Sequence, residues 1–368
     1  MKAESTPSGD ILTLKSEHQA TIEVPAGVLG ATWDNRTSQL YTACMDGQVL
    51  SVDLDSKETR SIGNHESYAS GIVMGPEEET VISSGYDGLI IWHDIKSRRP
   101  IHVVEAHKFW SWRLSISPNG KHLASSTGQY RSGGYKYEPA AETEPSLRVF
   151  DARNGTLSHS FSHIPPVTSI AFSPNSQFLA AGNLMGEIKV FDLSTDQLIA
   201  EWESKDFTSW GIIKSHHYIG GIFDLSFTPD GEELIACGMG PMRDPMAGNG
   251  KQTWQRFAWK EREHPLTAEI ASNEAGKGLM ESLAVDSDRH RFAMAGRLAQ
   301  GQWNTAIFDL NSGSLLHSID TKMRTTKALF SAQGSDLFLC GAGSQKPPKE
   351  GQWPDFGRVH HYTLSAES

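Results

Sequence analysis

The chain has 368 residues, 38% hydrophobic and 21% charged, with 34 Gly and 17 Pro, which is enough length and apolar content to bury a large core in a globular, turn-rich protein. A net charge of -11 argues against the clustered cationic surface on which sequence-independent nucleic-acid binding rests, and no run approaches the ~20 apolar residues that cross a bilayer as a helix. Protein or small-molecule partners are therefore expected, with no nucleic acid and no membrane.

The opening segment, MKAESTPSGD, lacks the apolar stretch of a secretory signal, so a cytoplasmic location is expected, or a periplasmic or secreted one if a signal has been removed. A monomer is the default. Cys44, Cys237 and Cys340 follow similar apolar contexts (LYTAC, LIAC, LFLC), which marks them as small buried residues at one repeated strand position and not a disulfide framework.

In chain order the predicted elements repeat. The run ATIEV at 20–24 alternates and reads as a strand, after an N-terminal extension over 1–19. A unit of three short apolar runs separated by turns follows: VLGATWDNRTSQLYTACMDGQVLSVDL, then IVMGPEEETVISSGYDGLIIWHD, then WRLSISPNGKHLASS with LRVFD. The clearest copy is VTSIAFSPNSQFLAAGNLMGEIKVFDL, and IFDLSFTPDGEELIACG, SLAVDSDRHRFAMAG with AIFDL, and ALFSAQGSDLFLCGAG with VHHYTL complete the series. A further short strand, such as IHVV, LIAEW or LLHSI, links successive copies, which makes four strands per unit and seven units.

The second unit carries His65, Asp87 and Trp92, followed by His93 and Asp94, and other units close on Phe150-Asp151, Phe191-Asp192 and Phe308-Asp309. In this order of His, turn Asp and closing aromatic-Asp the chain resembles the WD-repeat family of β-propellers. The degenerate endings and long loops resemble those of uncharacterised bacterial members, which imply no activity. The resemblance implies an all-β fold: a seven-bladed β-propeller of four-stranded antiparallel blades over residues 20–364, with a tail at 365–368. The blades fall at about 25–61, 62–104, 105–160, 161–202, 203–270, 271–319 and 320–364. The last unit runs out of chain for its outermost strand, so residues 20–24 are expected to supply it and close the ring.

The closing Asp residues recur every 41 positions from 53 to 94 and from 151 to 192, and departures from that period locate insertions. Four lie between second and third strands, at 127–145, 238–259, 297–303 and 343–356, and one, 205–221, precedes a first strand. Alternate connections of an antiparallel blade emerge on opposite faces, so all five project from one side of the disc. They carry the residue types that dominate binding hot spots. The candidates are Tyr130, Arg131, Trp210, His216, His217, Tyr218, Arg243, Asp244, Lys251, Trp254, Arg297, Gln300, Trp303 and Trp353. Trp254 and Trp303 stand six positions before the end of their third-strand motifs, and equivalent placement favours a packing role for both. The recurring Gly-Gln pairs before aromatics suggest that the Gln side chains bond neighbouring loop backbones.

Chemistry is sparse. GNGK lacks the Walker pattern, with Pro245 and Gln252 where Gly and Ser or Thr are needed. Met239, Met242 and Met246, with His216, have soft-metal ligand types, but Met also fills gaps between loops. Glu138, Asp244 and Asp355 are expected to pair with Arg243 or Arg256. No catalytic residues and no cofactor are expected. The sequence reads as a non-catalytic scaffold that binds a protein or peptide partner, or a small ligand, at the channel mouth; the alternative is a propeller hydrolase or lyase, or a metal-binding protein, with its site on the same face.

Overall fold

The computed structural model describes residues 14–77, 79–129, 142–207, 221–240, 250–261, 263, 265–348 and 354–366. Among them, 28 strands form seven four-stranded antiparallel sheets, and the helical content is one 3-10 turn at Lys205–Phe207. The chain starts with β1 (Leu14–Val24). Blade one is β2 (Val28–Asp34), β3 (Gln39–Cys44), β4 (Gln48–Asp53) and β5 (Thr59–Asn64); blade two is β6 (Ala69–Met74), β7 (Thr80–Gly85), β8 (Leu89–Asp94) and β9 (Arg99–Glu105). Blade three is β10 (Ser111–Ile116), β11 (His122–Thr127), β12 (Leu147–Asp151) and β13 (Leu157–Phe161); blade four is β14 (Val167–Phe172), β15 (Phe178–Asn183), β16 (Glu187–Asp192) and β17 (Gln197–Glu203). Blade five is β18 (Gly221–Phe227), β19 (Leu234–Met239), β20 (Gln252–Phe257) and β21 (Leu266–Glu269); blade six is β22 (Lys277–Asp286), β23 (Arg291–Gln300), β24 (Thr305–Asp309) and β25 (Leu315–Ile319). Blade seven joins β26 (Arg324–Phe330), β27 (Asp336–Ala342) and β28 (Gly357–Ala366) to β1 as its outermost strand.

Local sequence sets the turns. Between first and second strands, Ser117, Ser173 and Thr228 each donate a hydroxyl to the Asn or Asp two residues on, at 2.8, 2.6 and 2.6 Å. Each hydroxyl also accepts the N–H that opens the second strand, so Ser-Pro-Asn and Thr-Pro-Asp are hairpin locks. The closing Asp residues lock the other end: Asp151 and Asp309 accept two successive backbone N–H groups each in the turn from third to fourth strand, and Asp53, Asp94 and Asp192 serve the same turn.

Seven apolar clusters form among the described residues, one at each seam between adjacent blades, as between blades four and five where Val190 and Ile188 meet Ile222, Phe257 and Trp259. Because both faces of each blade are covered, middle strands such as β7 are buried throughout. Cys44, Cys237 and Cys340 are buried free thiols, and burial pushes the Cys44 thiol up to about 12.

Two elements extend beyond the sequence reading. The ring does close through the N-terminal strand, but that strand begins at Leu14, not Ala20, and pairs with β28 from Val24↔Gly357 to Leu14↔Ala366. The insertion at 297–303 is largely strand, because β22 and β23 lengthen together and pair Leu279 with Arg297 and Lys277 with Gln300.

Candidate functional site at the channel mouth

Each of the seven innermost strands carries a register shift at the same place: after Val28, Ala69, Ser111, Val167, Ile222, Met280 and Thr325. One residue per blade, Leu29, Ser70, Trp112, Thr168, Phe223, Glu281 or Thr326, drops out of the ladder there. Such bulges bend a strand and release backbone groups from pairing. In three blades the extra residue ties the ring together, since Ser70 donates to Ser111 O at 2.6 Å, Thr326 to Val28 O at 2.5 Å, and Thr168 to Ile222 O.

Charged side chains beside these bulges make contacts that skip blades, which only the central channel allows. Arg113 of blade three reaches the carbonyls of Thr168, Phe223 and Glu281 in blades four, five and six. Lys327 of blade seven lies 3.6 Å from Asp224 of blade five, and Arg324 holds Glu281 through two 2.7 Å hydrogen bonds. Arg324 keeps half of its side chain exposed while Glu281 is buried.

An aromatic wall stands on the insertion face beside this ring. Tyr86, in the second-to-third turn of blade two, stacks on Trp110 at 4.6 Å and 9° and lies 5.3 Å from Tyr68 and 5.9 Å from Trp112; Phe109 packs on Trp110 at 4.8 Å. Tyr68 is 42% exposed, and Tyr86, Phe109, Trp110 and Trp112 are half-buried. Burial raises the pKa of the Tyr86 phenol, against the opposing charges of Arg113 and Arg324, so both guanidinium groups act on this wall.

The wall is braced by the roots of the blade-three insertion. Glu144 returns to accept the N–H groups of Lys108 and Phe109 at 3.0 and 3.2 Å, and Gln129 donates to Glu144 O and accepts Thr143 N–H, both at 2.7 Å. Opposite the wall, a cleft of about 440 Å³ between blades six and seven is lined by Arg297, Leu298, Asp320, Lys322, Arg324 and Ser344 among others. A second cleft, of about 760 Å³, lies on the other face of the disc along the Ser-Pro-Asn turn of blade three.

Of the residues singled out from sequence, Arg297 and Gln300 are exposed on the insertion face, with Arg297 in the cleft. Trp254 and Trp303 are not: at 1% and 4% exposure they fill the seam between blades five and six against Phe308, which removes both from any binding surface. Lys251 is half-buried, with its ammonium 3.5 Å from Ile270 O. Gln129 and Gln252 bond loop backbone as the Gly-Gln pattern suggests, Gln252 spanning Trp303 O and Gly276 N–H.

Arg256 pairs with Glu233 at 3.1 Å instead of with a loop carboxylate, because its strand presents it near the first-to-second turn. Tyr130, Arg131, Glu138, Trp210, His216, His217, Tyr218, Met242, Arg243, Asp244, Met246 and Trp353 lie outside the described residues. Met239 is buried, and among the described residues no three His, Cys, Asp or Glu side chains group to hold a metal ion. The wall itself was missed, although Phe109-Trp110-Ser111-Trp112-Arg113 is the densest aromatic run near an inner strand.

The repeat residues converge in blade two. Asp87 accepts from His65 Nδ1 at 3.0 Å, His65 Nε2 meets Ser83 Oγ at 2.8 Å, and Ser83 meets His93 Nε2 at 2.7 Å. Burial opposes the Asp87 charge, but His65 and the N–H groups of Leu89 and Glu66 hold its carboxyl below the usual range. Here the closing aromatic of the repeat is replaced: the register sets His93, and not Trp92, where blades three and four have Phe150 and Phe191. Trp92 instead packs into the seam with blade three and donates to Ala152 O.

Residues 155–192 match the family model of the WD domain, G-beta repeat. That span is the outer strand of blade three plus the first three strands of blade four, the same stagger by which β1 completes blade seven. The chain is a seven-bladed β-propeller that carries a WD repeat over this span. It is similar to the U3 small nucleolar RNA-associated protein 4 homolog of Mus musculus, at 22% identity over 60% of this chain and 30% of that protein. It is similar also to the meiotic recombination protein rec14 of Schizosaccharomyces pombe (29%, over 43% of this chain and 50% of the other) and to the target of rapamycin complex subunit LST8 of Mus musculus (24%, over 40% and 42%). This propeller thus spans half or less of the length of these relatives. All three are eukaryotic, and the bacterial resemblance of the repeat endings has no counterpart among them.

Proposed function

We propose that this WD-repeat propeller is a non-catalytic interaction protein that binds a protein or peptide partner through the insertion face around the channel mouth. The observation that carries this reading is the aromatic wall of Tyr68, Tyr86, Phe109, Trp110 and Trp112, left partly exposed beside Arg324 and braced from behind by Glu144 and Gln129. Aromatic and Arg side chains held rigid in a partly desolvated setting are the usual anchors of an interface. The relatives add a coarser support, since one is named as a complex subunit and another as an associated protein.

Face-specific variants test it. Tyr68→Ala with Trp110→Ala removes the wall, whereas Lys121→Ala with Arg153→Ala alters the cleft on the other face. Affinity capture followed by quantitative mass spectrometry is expected to lose its specific partners with the first pair and keep them with the second. Capture unchanged by the first pair, with both proteins folded, would overturn the assignment.

A further inference from the structure

The chemistry of the partner segment is legible in the charge pattern of the channel. Two of the carboxylates there are satisfied: Asp224 accepts Leu283 N–H at 2.9 Å with Lys327 at 3.6 Å, and Glu281 takes both arms of the Arg324 fork. Arg113 differs. Its Nε–H donates to Thr168 O at 3.1 Å and its Nη2 to Phe223 O and Glu281 O at 3.3 Å each, and all three acceptors are neutral carbonyls freed by the bulges. No carboxylate pairs with it among the described residues, and its Nη1 donors have no acceptor there. A guanidinium has five N–H donors in a rigid fork suited to carboxylates, so a half-satisfied one presents a site of defined geometry. In a chain of net charge -11 this is a local excess of positive charge, three cations against two carboxylates.

Resting on the interaction-face reading, we propose that the channel mouth receives an acidic partner segment, with an Asp or Glu carboxylate on the open Nη1 of Arg113 and an adjacent apolar side chain against Tyr68, Tyr86 and Trp110. The juxtaposition is a fixed, uncompensated cation at the foot of a partly exposed aromatic wall. A cationic segment is disfavoured, because it meets the charges of Arg113 and Arg324. Three carbonyls aim the guanidinium before the guest arrives, so little ordering remains to be done on binding.

The test uses the full chain and three end-capped, fluorescein-labelled nonapeptides in a Gly-Ser frame with a central Leu-Glu, Leu-Gln or Leu-Lys pair, followed by anisotropy. The Glu peptide is expected to bind at least tenfold tighter than the Gln peptide, and the Lys peptide weakest. Arg113→Met should equalise Glu and Gln, while Trp110→Ala should weaken both and preserve their ratio. If Arg113→Met fails to fold, the wild-type ratio and Trp110→Ala still decide. Equal binding of Glu and Gln peptides, binding of none, or preference for Lys overturns the carboxylate inference. Each of those results leaves the interaction face standing, which falls only if partner capture survives the loss of Tyr68 and Trp110.

Discussion

Position 93 holds a histidine where blades three, four and six hold phenylalanine at the same register, and the exchange has a consequence in pH. Burial first, and the neighbouring His65 second, lower the His93 pKa to about 4; burial likewise takes His107 and His163 to about 3 and His360 to about 4. An unfolded histidine titrates near 6.5, so below that pH the unfolded chain takes up protons that the folded chain refuses. Stability therefore falls as pH drops from about 6.5 toward about 4, by at most about 1.4 kcal/mol per pH unit for each such group. His93→Phe removes one of these groups and restores the residue of the sister blades, at the expense of one bond to Ser83. Urea midpoints at pH 7 and pH 5 should lie closer together in the variant than in wild type. An unchanged spacing would mean that His93 titrates normally in the fold.

At the scale of elements, β1 decides whether the ring is closed. Its inward residues Ala20, Ile22 and Val24 are buried while Thr21 and Glu23 face out, and Ile22 packs in the cluster that joins blade seven to blade one. Ile22→Ala is expected to cost about 2–4 kcal/mol through lost burial and the cavity left behind. Removing residues 1–24 should do more, exposing the edge of β28 to pairing with other chains, and size-exclusion chromatography should detect the resulting association. A truncated chain that stays monomeric with an unchanged melting temperature would contradict the closure.

ATIEV was legible because its apolar residues alternate. LKSEHQ before it was not, because residues 14–19 pair through the backbone and show no apolar pattern. RLAQGQW likewise shows no apolar alternation, which hides the strand pairing of Arg297 and Gln300. The candidate site was less legible still: Trp254 and Trp303 have the composition of a binding surface but the position of a core, and only the packing of blade five on blade six separates the two. Phe109 to Arg113 was absorbed into a strand pattern, since nothing in one chain indicates that an inner strand bulges and aims Arg113 across the channel.

At the scale of the whole molecule, each blade buries its faces on two neighbours, and the seven seam clusters have no end from which to fray. An open solenoid with the same nearest-neighbour contacts can lose a terminal repeat and keep the rest. A ring cannot open one seam without exposing two blade faces and the contacts that span the channel, including those of Arg113 to three blades. The hydroxyl ties at the bulges probe this directly. Thr326 crosses the seam between blade seven, which holds both chain ends, and blade one, and Thr168 crosses one in mid-chain, each donating to a carbonyl of the next blade. Replacing either by Val keeps the shape and removes the bond, for about 1 kcal/mol each. Both variants should lower the urea midpoint by similar amounts with the slope unchanged, and tryptophan fluorescence and circular dichroism should report one coincident transition. The tryptophans make the comparison sensitive, because Trp33, Trp92, Trp110, Trp202, Trp254 and Trp303 report from six different blades. A Thr326→Val protein that unfolds in two steps, with blades one and seven leading, would show that the closing seam is a weak point and the ring is not one cooperative unit.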